Sequence, residues 1–203
     1  MTLDVQTFRD RVQAALETRP RRVAEAGDRI PAAVLLLVVY RDQEPHLVFA
    51  KKTETVPHHK GQFSFPGGLV ETFDGSRVET ALREAREEIG LDPEAVEVLG
   101  ILDDVPTATT RFVITPVVGL CAAPPALRPD GREIERVLEV SLRHLRDPAA
   151  FREEQWERDG ATHPVAFFTC GADVIWGATA RILQEFLTTV FGPPEGGPPP
   201  AGP

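Results

Sequence analysis

The longest apolar run, Ala32 to Val39, sets the first limit on the fold. It is far shorter than the roughly 20 residues that cross a bilayer, so it reads as a buried strand. Arg41 to Pro45 reads as a turn and His46 to Lys52 as a second strand, giving a hairpin. The period then changes. From Arg77 to Ile89, apolar Val78, Ala81, Leu82, Ala85 and Ile89 fall on one side and charge on the other, which predicts an amphipathic helix. Gly90 follows as its C-cap. Between hairpin and helix, Gly61 to Gly68 predicts a short strand ending in a double-glycine turn, and 71–76 a loop.

Helical spacing also marks residues 5–18, closed by Pro20, and 176–190. Further strands are predicted at 96–102, 112–120, 134–140 and 165–169, the last hairpinned with 155–157, and a short helix over 142–145. The fold class is α/β or α+β: a mixed sheet flanked by helices. The divisions are an N-terminal helix and linker (1–29), one domain (30–191), and a Pro/Gly-rich tail (192–203) that cannot bury enough surface to order itself.

Charge and cysteine content narrow the function. The net charge is −9, the wrong sign for a general nucleic-acid binder, yet compatible with an anionic substrate bridged by divalent cations. Cys121 and Cys170 stand alone, without metal-type spacing, and read as small structural thiols of a reducing cytosol. Met1 to Val5 lacks the basic and apolar regions of a signal peptide. The expectation is a cytoplasmic protein with no membrane and no nucleic-acid partner, as a monomer or a homodimer.

Arg83-Glu84-Ala85-Arg86-Glu87-Glu88 carries the chemistry. Residues three and four apart share a helix face, so Glu84, Glu87 and Glu88 lie together. Grouped carboxylates raise one another's pKa, and a divalent cation removes that cost. An oxygen-only donor set suits Mg²⁺ or Mn²⁺. Taken alone, such a helix is more often a solvated face of Glu–Arg pairs. The glycine-rich segment Phe65-Pro66-Gly67-Gly68 and the acidic loop that leads from it into the helix favour the metal site.

The segment from Gly68 to Leu91 resembles the Nudix box. Its second half matches in full, with Arg83, Glu84, Ala85, Glu87, Glu88, Gly90 and Leu91. Its first half departs. Asp74 stands where the family has glutamate, and the stretch from there to Arg83 is one residue longer. The resemblance implies an α/β/α sandwich and hydrolysis of a nucleoside diphosphate linked to another moiety. It implies Glu84 and Glu88 as the principal metal ligands, Glu87 as an auxiliary one, and Arg83 as the group that orients them. Gly67 and Gly68 would shape a diphosphate-facing turn. Water attacks phosphorus in such a reaction, and Glu87 or Glu133 is the candidate base.

Upstream, Gly61 and Phe65 to Gly68 are similar to the motif of the coenzyme A pyrophosphatase subgroup, as is Ile175 to Leu183. Lys52 stands for the motif's first arginine, and Pro57 replaces its second. That resemblance implies cleavage of coenzyme A to 3′,5′-ADP and 4′-phosphopantetheine, with Lys51, Lys52, His58, His59 and Lys60 as cations for the substrate. ADP-ribose, dinucleoside polyphosphates and oxidised nucleoside triphosphates remain alternatives, as does a module that senses a nucleotide without cutting it. Trp176 reads as core before it reads as a stacking platform.

Overall fold

The computed structural model describes residues 3–25, 27–56, 59–107, 110–158 and 160–193. Pro57, His58 and the tail beyond Pro193 lie outside the described residues. In chain order the elements are α1 (Val5–Glu17), β1 (Ile30–Arg41), β2 (Glu44–Lys52), β3 (Phe63–Ser64), β4 (Gly67–Leu69) and α2 (Arg77–Ile89). There follow β5 (Glu97–Ile101), β6 (Val105–Pro106), β7 (Phe112–Cys121), β8 (Ile134–Ser141) and α3 (Leu142–Leu145). The last are β9 (Phe151–Arg158), β10 (Ala161–Cys170), β11 (Asp173–Trp176) and α4 (Gly177–Phe191).

The apolar run forms the centre of a mixed sheet with strand order β3-β2-β1-β7-β5. β1 runs parallel to β7 from Ile30↔Phe112 to Val39↔Cys121. It is buried on both faces. Ala33, Leu35, Leu37 and Val39 meet Ala81, Ala85 and Ile89 of α2, while Leu36, Val38 and Tyr40 join α1 and α4 through Phe8, Val12, Leu183 and Phe186. Period-two alternation in the strand thus feeds two helical layers, which gives the expected α/β/α sandwich. Truncating a fully buried anchor such as Phe8 to alanine costs about 3–5 kcal/mol by cavity formation.

One topological detail positions the site. β1 and β2 are joined by Asp42-Gln43, both at positive φ (49° and 63°), as a tight hairpin turn requires. They pair only from Val38↔Leu47 to Arg41↔Glu44 and then part. The wedge between them holds β3, paired to β2, and β4, paired to β1. The double glycine is therefore not a turn, as its composition suggested, but a strand with Gly68 opposite Ala33 and Gly67 opposite Val34. Local composition signals backbone freedom. It cannot signal that a neighbouring strand supplies hydrogen-bond partners.

Two other expectations are revised. The hairpin near the C-terminus extends over β9 and β10, beyond 155–157 and 165–169, and Asp173–Trp176 forms β11 before the last helix starts at Gly177. The basic cluster after α1 acquires a structural role. Arg19 and Arg22 bind Asp103 at 2.6 and 2.9 Å, and Arg21 binds Asp104 at 2.5 Å. Asp104 also accepts from Thr115 Oγ1 at 2.7 Å, which ties the segment to β7. Burial alone would raise the Asp103 carboxyl, but the Arg22 backbone N–H and the Arg19 guanidinium outweigh it and hold it below the usual range. Among the described residues no helix is long and apolar enough to cross a membrane.

Candidate active site

α2 is fixed at both ends. Ser76 Oγ accepts from the Glu79 N–H at 3.1 Å, and Glu79 reaches back to the Gly75 N–H at 2.8 Å. Gly90 closes the helix in the left-handed region, φ 65°. Glu87 and Glu88 therefore lie in the last turn, where the helix dipole disfavours negative charge. That adds to the demand for a cation.

Glu88 meets this demand most sharply. It is only 5% exposed. One carboxylate oxygen accepts from Lys52 Nζ at 2.6 Å and the other from the Gly67 N–H at 3.0 Å. Burial raises its pKa, and Lys52 opposes the rise. For Lys52, burial alone would lower the pKa, but Glu88 and Glu133 raise it on balance. Glu84 is also raised by burial, against the pull of Arg83. Its carboxylate fills the space where Gly68 would carry a side chain: a Cβ there would sit 2.5 Å from the Glu84 carboxyl carbon.

Arg83 organises the outer edge. Its Nε and Nη2 grip the two oxygens of Asp74, both at 3.0 Å. Nη1 reaches Glu84 at 2.8 Å and Glu87 at 3.2 Å, and Nη2 also donates to Leu69 O. The Asp74 side chain is 3% exposed. It accepts as well from Thr80 Oγ1 at 2.8 Å and the Glu71 N–H at 3.0 Å. The Arg83 guanidinium holds the Asp74 carboxyl well below the usual range. The one-residue-longer loop thus folds so that Asp74 buttresses the arginine. Phe73 lies against the same guanidinium, 5.5 Å from ring centroid to Cζ.

The second wall is the loop before β8. Asp130 Oδ1 accepts from the N–H groups of Arg132, Glu133 and Ile134 at 3.1, 3.1 and 2.8 Å. The Asp130 N–H donates to Glu88 O at 3.0 Å, which hangs the loop from the end of α2. Between helix and loop lies an open cleft of ≈ 450 Å³ lined by Glu84, Glu87, Glu88, Asp130, Arg132 and Glu133. Glu133 is 63% exposed, with its carboxylate 3.6 Å from Lys52 Nζ. Glu87 is 60% exposed at the rim.

The structure brings Arg83, Glu84, Glu87, Glu88, Lys52, Gly67, Gly68 and Glu133 together. It leaves His59 and Lys60 on the surface, with His59 Nδ1 bonded to Gln62 Oε1 at 2.9 Å. Lys52 is not a cation outside the carboxylate cluster but part of it, and Lys51 is paired with Glu135 at 3.1 Å. Trp176 stacks on Phe167 at 6.2 Å and 12°, away from the cleft lining. Asp130 and Arg132 had not stood out in the sequence. Asp130-Gly131 is an ordinary turn pair, and only the spacing to Glu133 hinted at their place.

A divalent cation fits this donor set chemically. The donors are anionic oxygens, those of Glu88 buried and those of Glu84 half-buried, and the Lys52 ammonium already marks where positive charge is needed. Among the described residues no three His, Cys, Asp or Glu side chains converge tightly enough to hold an ion as they stand. Glu84 and Glu88 are turned instead toward Arg83 and Lys52.

Residues 29–159 match the NUDIX domain family. The chain belongs to the Nudix family and is a hydrolase of phosphorus-containing anhydrides. The Nudix hydrolase NudL of Salmonella typhimurium (strain LT2), which carries the description "uncharacterized", is 38% identical over 174 residues, covering 85% of this chain and 88% of the relative. Among solved structures, the M. smegmatis Nudix hydrolase RenU aligns with a TM-score of 0.50 at 23% identity, over 59% of this chain and 74% of RenU. A MutT/nudix family protein from Enterococcus faecalis aligns with a TM-score of 0.50 at 17% identity, over 82% of this chain and 63% of its own. These two likenesses concern the fold. Nudix enzymes generally need divalent metal ions.

Two expectations follow from the geometry. A methyl group at Gly67 would lie 2.4 Å from Ala33 O and 2.6 Å from Val34 Cα, both backbone atoms, whereas at Gly68 its nearest neighbours are the atoms of the Glu84 carboxylate, the end of a flexible side chain. Gly67→Ala is expected to destabilise the fold by about 3 kcal/mol. Gly68→Ala is expected to melt near wild type but lose most hydrolysis. Thermal melts and turnover of the pair check this, and equal melting points would contradict it. Asp74→Asn is expected to cost about 1–3 kcal/mol at neutral pH, the worth of hydrogen bonds to a charged group. Because the folded pKa of Asp74 is depressed, that contribution is present above the ordinary value of 3.8 and is lost as pH falls toward the folded one. Chemical denaturation from pH 7 to pH 2 should show the two proteins converging only below about pH 4.

Proposed function

We propose that this chain is a divalent-metal-dependent hydrolase of nucleotide diphosphates whose substrate is coenzyme A or a derivative, cut to 3′,5′-ADP and 4′-phosphopantetheine. The observation that carries the reading is the pair of buried Glu88 and half-buried Glu84, seated against Gly67 and Gly68 at one wall of an acidic cleft. Glu84 and Glu88 are the ligands of Mg²⁺ or Mn²⁺, with Glu87 auxiliary at the rim. When bound, the cation screens the diphosphate oxygens from the carboxylates and increases the acidity of water.

The protein groups do the rest. Arg83, fixed on Asp74, holds Glu84 and Glu87 in place through its Nη1. A water molecule in the cleft attacks one phosphorus. Its proton passes to a carboxylate, a new P–O bond forms, and the anhydride P–O bond breaks with release of a phosphate monoester. Glu133 is the preferred base. It is exposed to the cleft and its backbone is pinned by Asp130 and by the Thr53 N–H, which donates to Glu133 O at 2.8 Å. Glu87, already engaged by Arg83, is the lesser candidate. Support for coenzyme A in particular comes from the likeness of Gly61 to Gly68 and of Ile175 to Leu183 to that subgroup.

Incubation with Mg²⁺ or Mn²⁺ and a panel of coenzyme A, ADP-ribose, NADH and nucleoside triphosphates tests the reading. Release of 3′,5′-ADP and 4′-phosphopantetheine is expected, with Glu88→Gln reduced at least about 10³-fold by loss of a buried ligand. Preferential turnover of another panel member would move the substrate assignment. No turnover of any member, with Glu88→Gln equal to wild type, would remove the metal mechanism.

A further inference from the structure

The cleft poses an electrostatic problem that the carboxylate cluster does not solve. Among the described residues its lining holds five carboxylates and one cation, Arg132. A diphosphate is itself anionic, so it needs positive protein groups as well as a metal. Lys52 is engaged with Glu88 and Glu133, Lys51 with Glu135, and Arg83 with Asp74, Glu84 and Glu87, while His59 and Lys60 stand outside the cleft lining. Among the described residues, no ion pair or side-chain hydrogen bond engages the Arg132 guanidinium.

Its backbone, in contrast, is held firmly. The Arg132 N–H donates to Asp130 Oδ1 at 3.1 Å, and Arg132 O accepts from Thr53 Oγ1 at 3.0 Å. The next residue is held by the same Asp130 and by the Thr53 N–H. A long side chain on a pinned loop, with five planar donors unspent, is suited to a two-oxygen grip on phosphate. The geometry points to Arg132 as the residue that grips the non-bridging phosphate oxygens of the nucleotide diphosphate, across the cleft from Glu84 and Glu87. The inference rests on the proposed diphosphate substrate and names the group that recognises it. Arg132 acts on substrate binding, while the carboxylates retain the cation.

The test compares wild type, Arg132→Lys and Arg132→Gln. Calorimetry measures ADP binding in the presence of Mg²⁺, electron paramagnetic resonance measures Mn²⁺ binding without nucleotide, and steady-state kinetics uses coenzyme A. Arg132→Gln is expected to weaken ADP binding and raise KM roughly tenfold, the loss of one charge-assisted interaction. It leaves kcat within about twofold, since the grip is made equally before and during reaction. Mn²⁺ affinity is not reduced, because a cation has been removed from beside the carboxylates. Arg132→Lys falls between the two, keeping charge but losing the fork. Equal ADP affinity in wild type and Arg132→Gln, absence of binding in both included, overturns the assignment. So does a parallel loss of Mn²⁺ affinity. Should wild type leave coenzyme A intact while Arg132→Gln still weakens ADP binding, the Arg132 assignment stands and the coenzyme A reading alone falls.

Discussion

The buried carboxylate of Glu88 is the constraint around which the site is built. An ionised group so far from water is costly unless charge and hydrogen bonds compensate it. Here the compensation comes from two directions in the fold. The Gly67 N–H comes from the strand wedged between β1 and β2, and the Lys52 ammonium comes from the end of β2. Neither partner is near Glu88 in sequence. Both depend on β1 and β2 parting after Val38↔Leu47. The parting of these two strands lets both partners reach one glutamate, and two helical layers bury β1 on either face.

Arg83 and Asp74 do for the outer carboxylates what Lys52 and Gly67 do for the inner one. The arginine is held by a two-point grip on a nearly buried aspartate and reaches Glu84 and Glu87 with its remaining nitrogen. A guanidinium held in this way keeps the glutamates ordered without neutralising them fully. The opposing loop is ordered by the same device, an aspartate collecting backbone N–H groups, in this case Asp130. Rigid walls with a charged interior suit a reaction in which positioning and electrostatics carry the catalysis.

Much of this was legible in the chain before folding. Apolar spacing from Val78 to Ile89 located α2 and its buried face, and the uninterrupted run from Ala32 to Val39 located the strand beneath it. The Glu84, Glu87 and Glu88 spacing, together with Arg83, defined the cluster, because positions three and four apart must share a helix face. What the sequence hid was long-range. Gly67-Gly68 looks like a turn because strand pairing with Ala33 and Val34 leaves no local mark. Lys52 looked like a free substrate cation because its partner Glu88 lies 36 residues along the chain. The arginines after α1 seemed functionless until their partners, Asp103 and Asp104, came beside them. Charge compensation is a property of the fold, and a linear reading registers the charges without their partners.

The proposed chemistry requires Glu84 and Glu88 to form a cation site rather than a charged face. Mn²⁺ binding to wild type and to Glu84→Gln, followed by electron paramagnetic resonance with far-ultraviolet circular dichroism as a fold control, measures this without recourse to any substrate. Saturable Mn²⁺ binding is expected in wild type, weakened by more than about tenfold in Glu84→Gln at unchanged secondary structure. The same Mn²⁺ affinity in both proteins would contradict it.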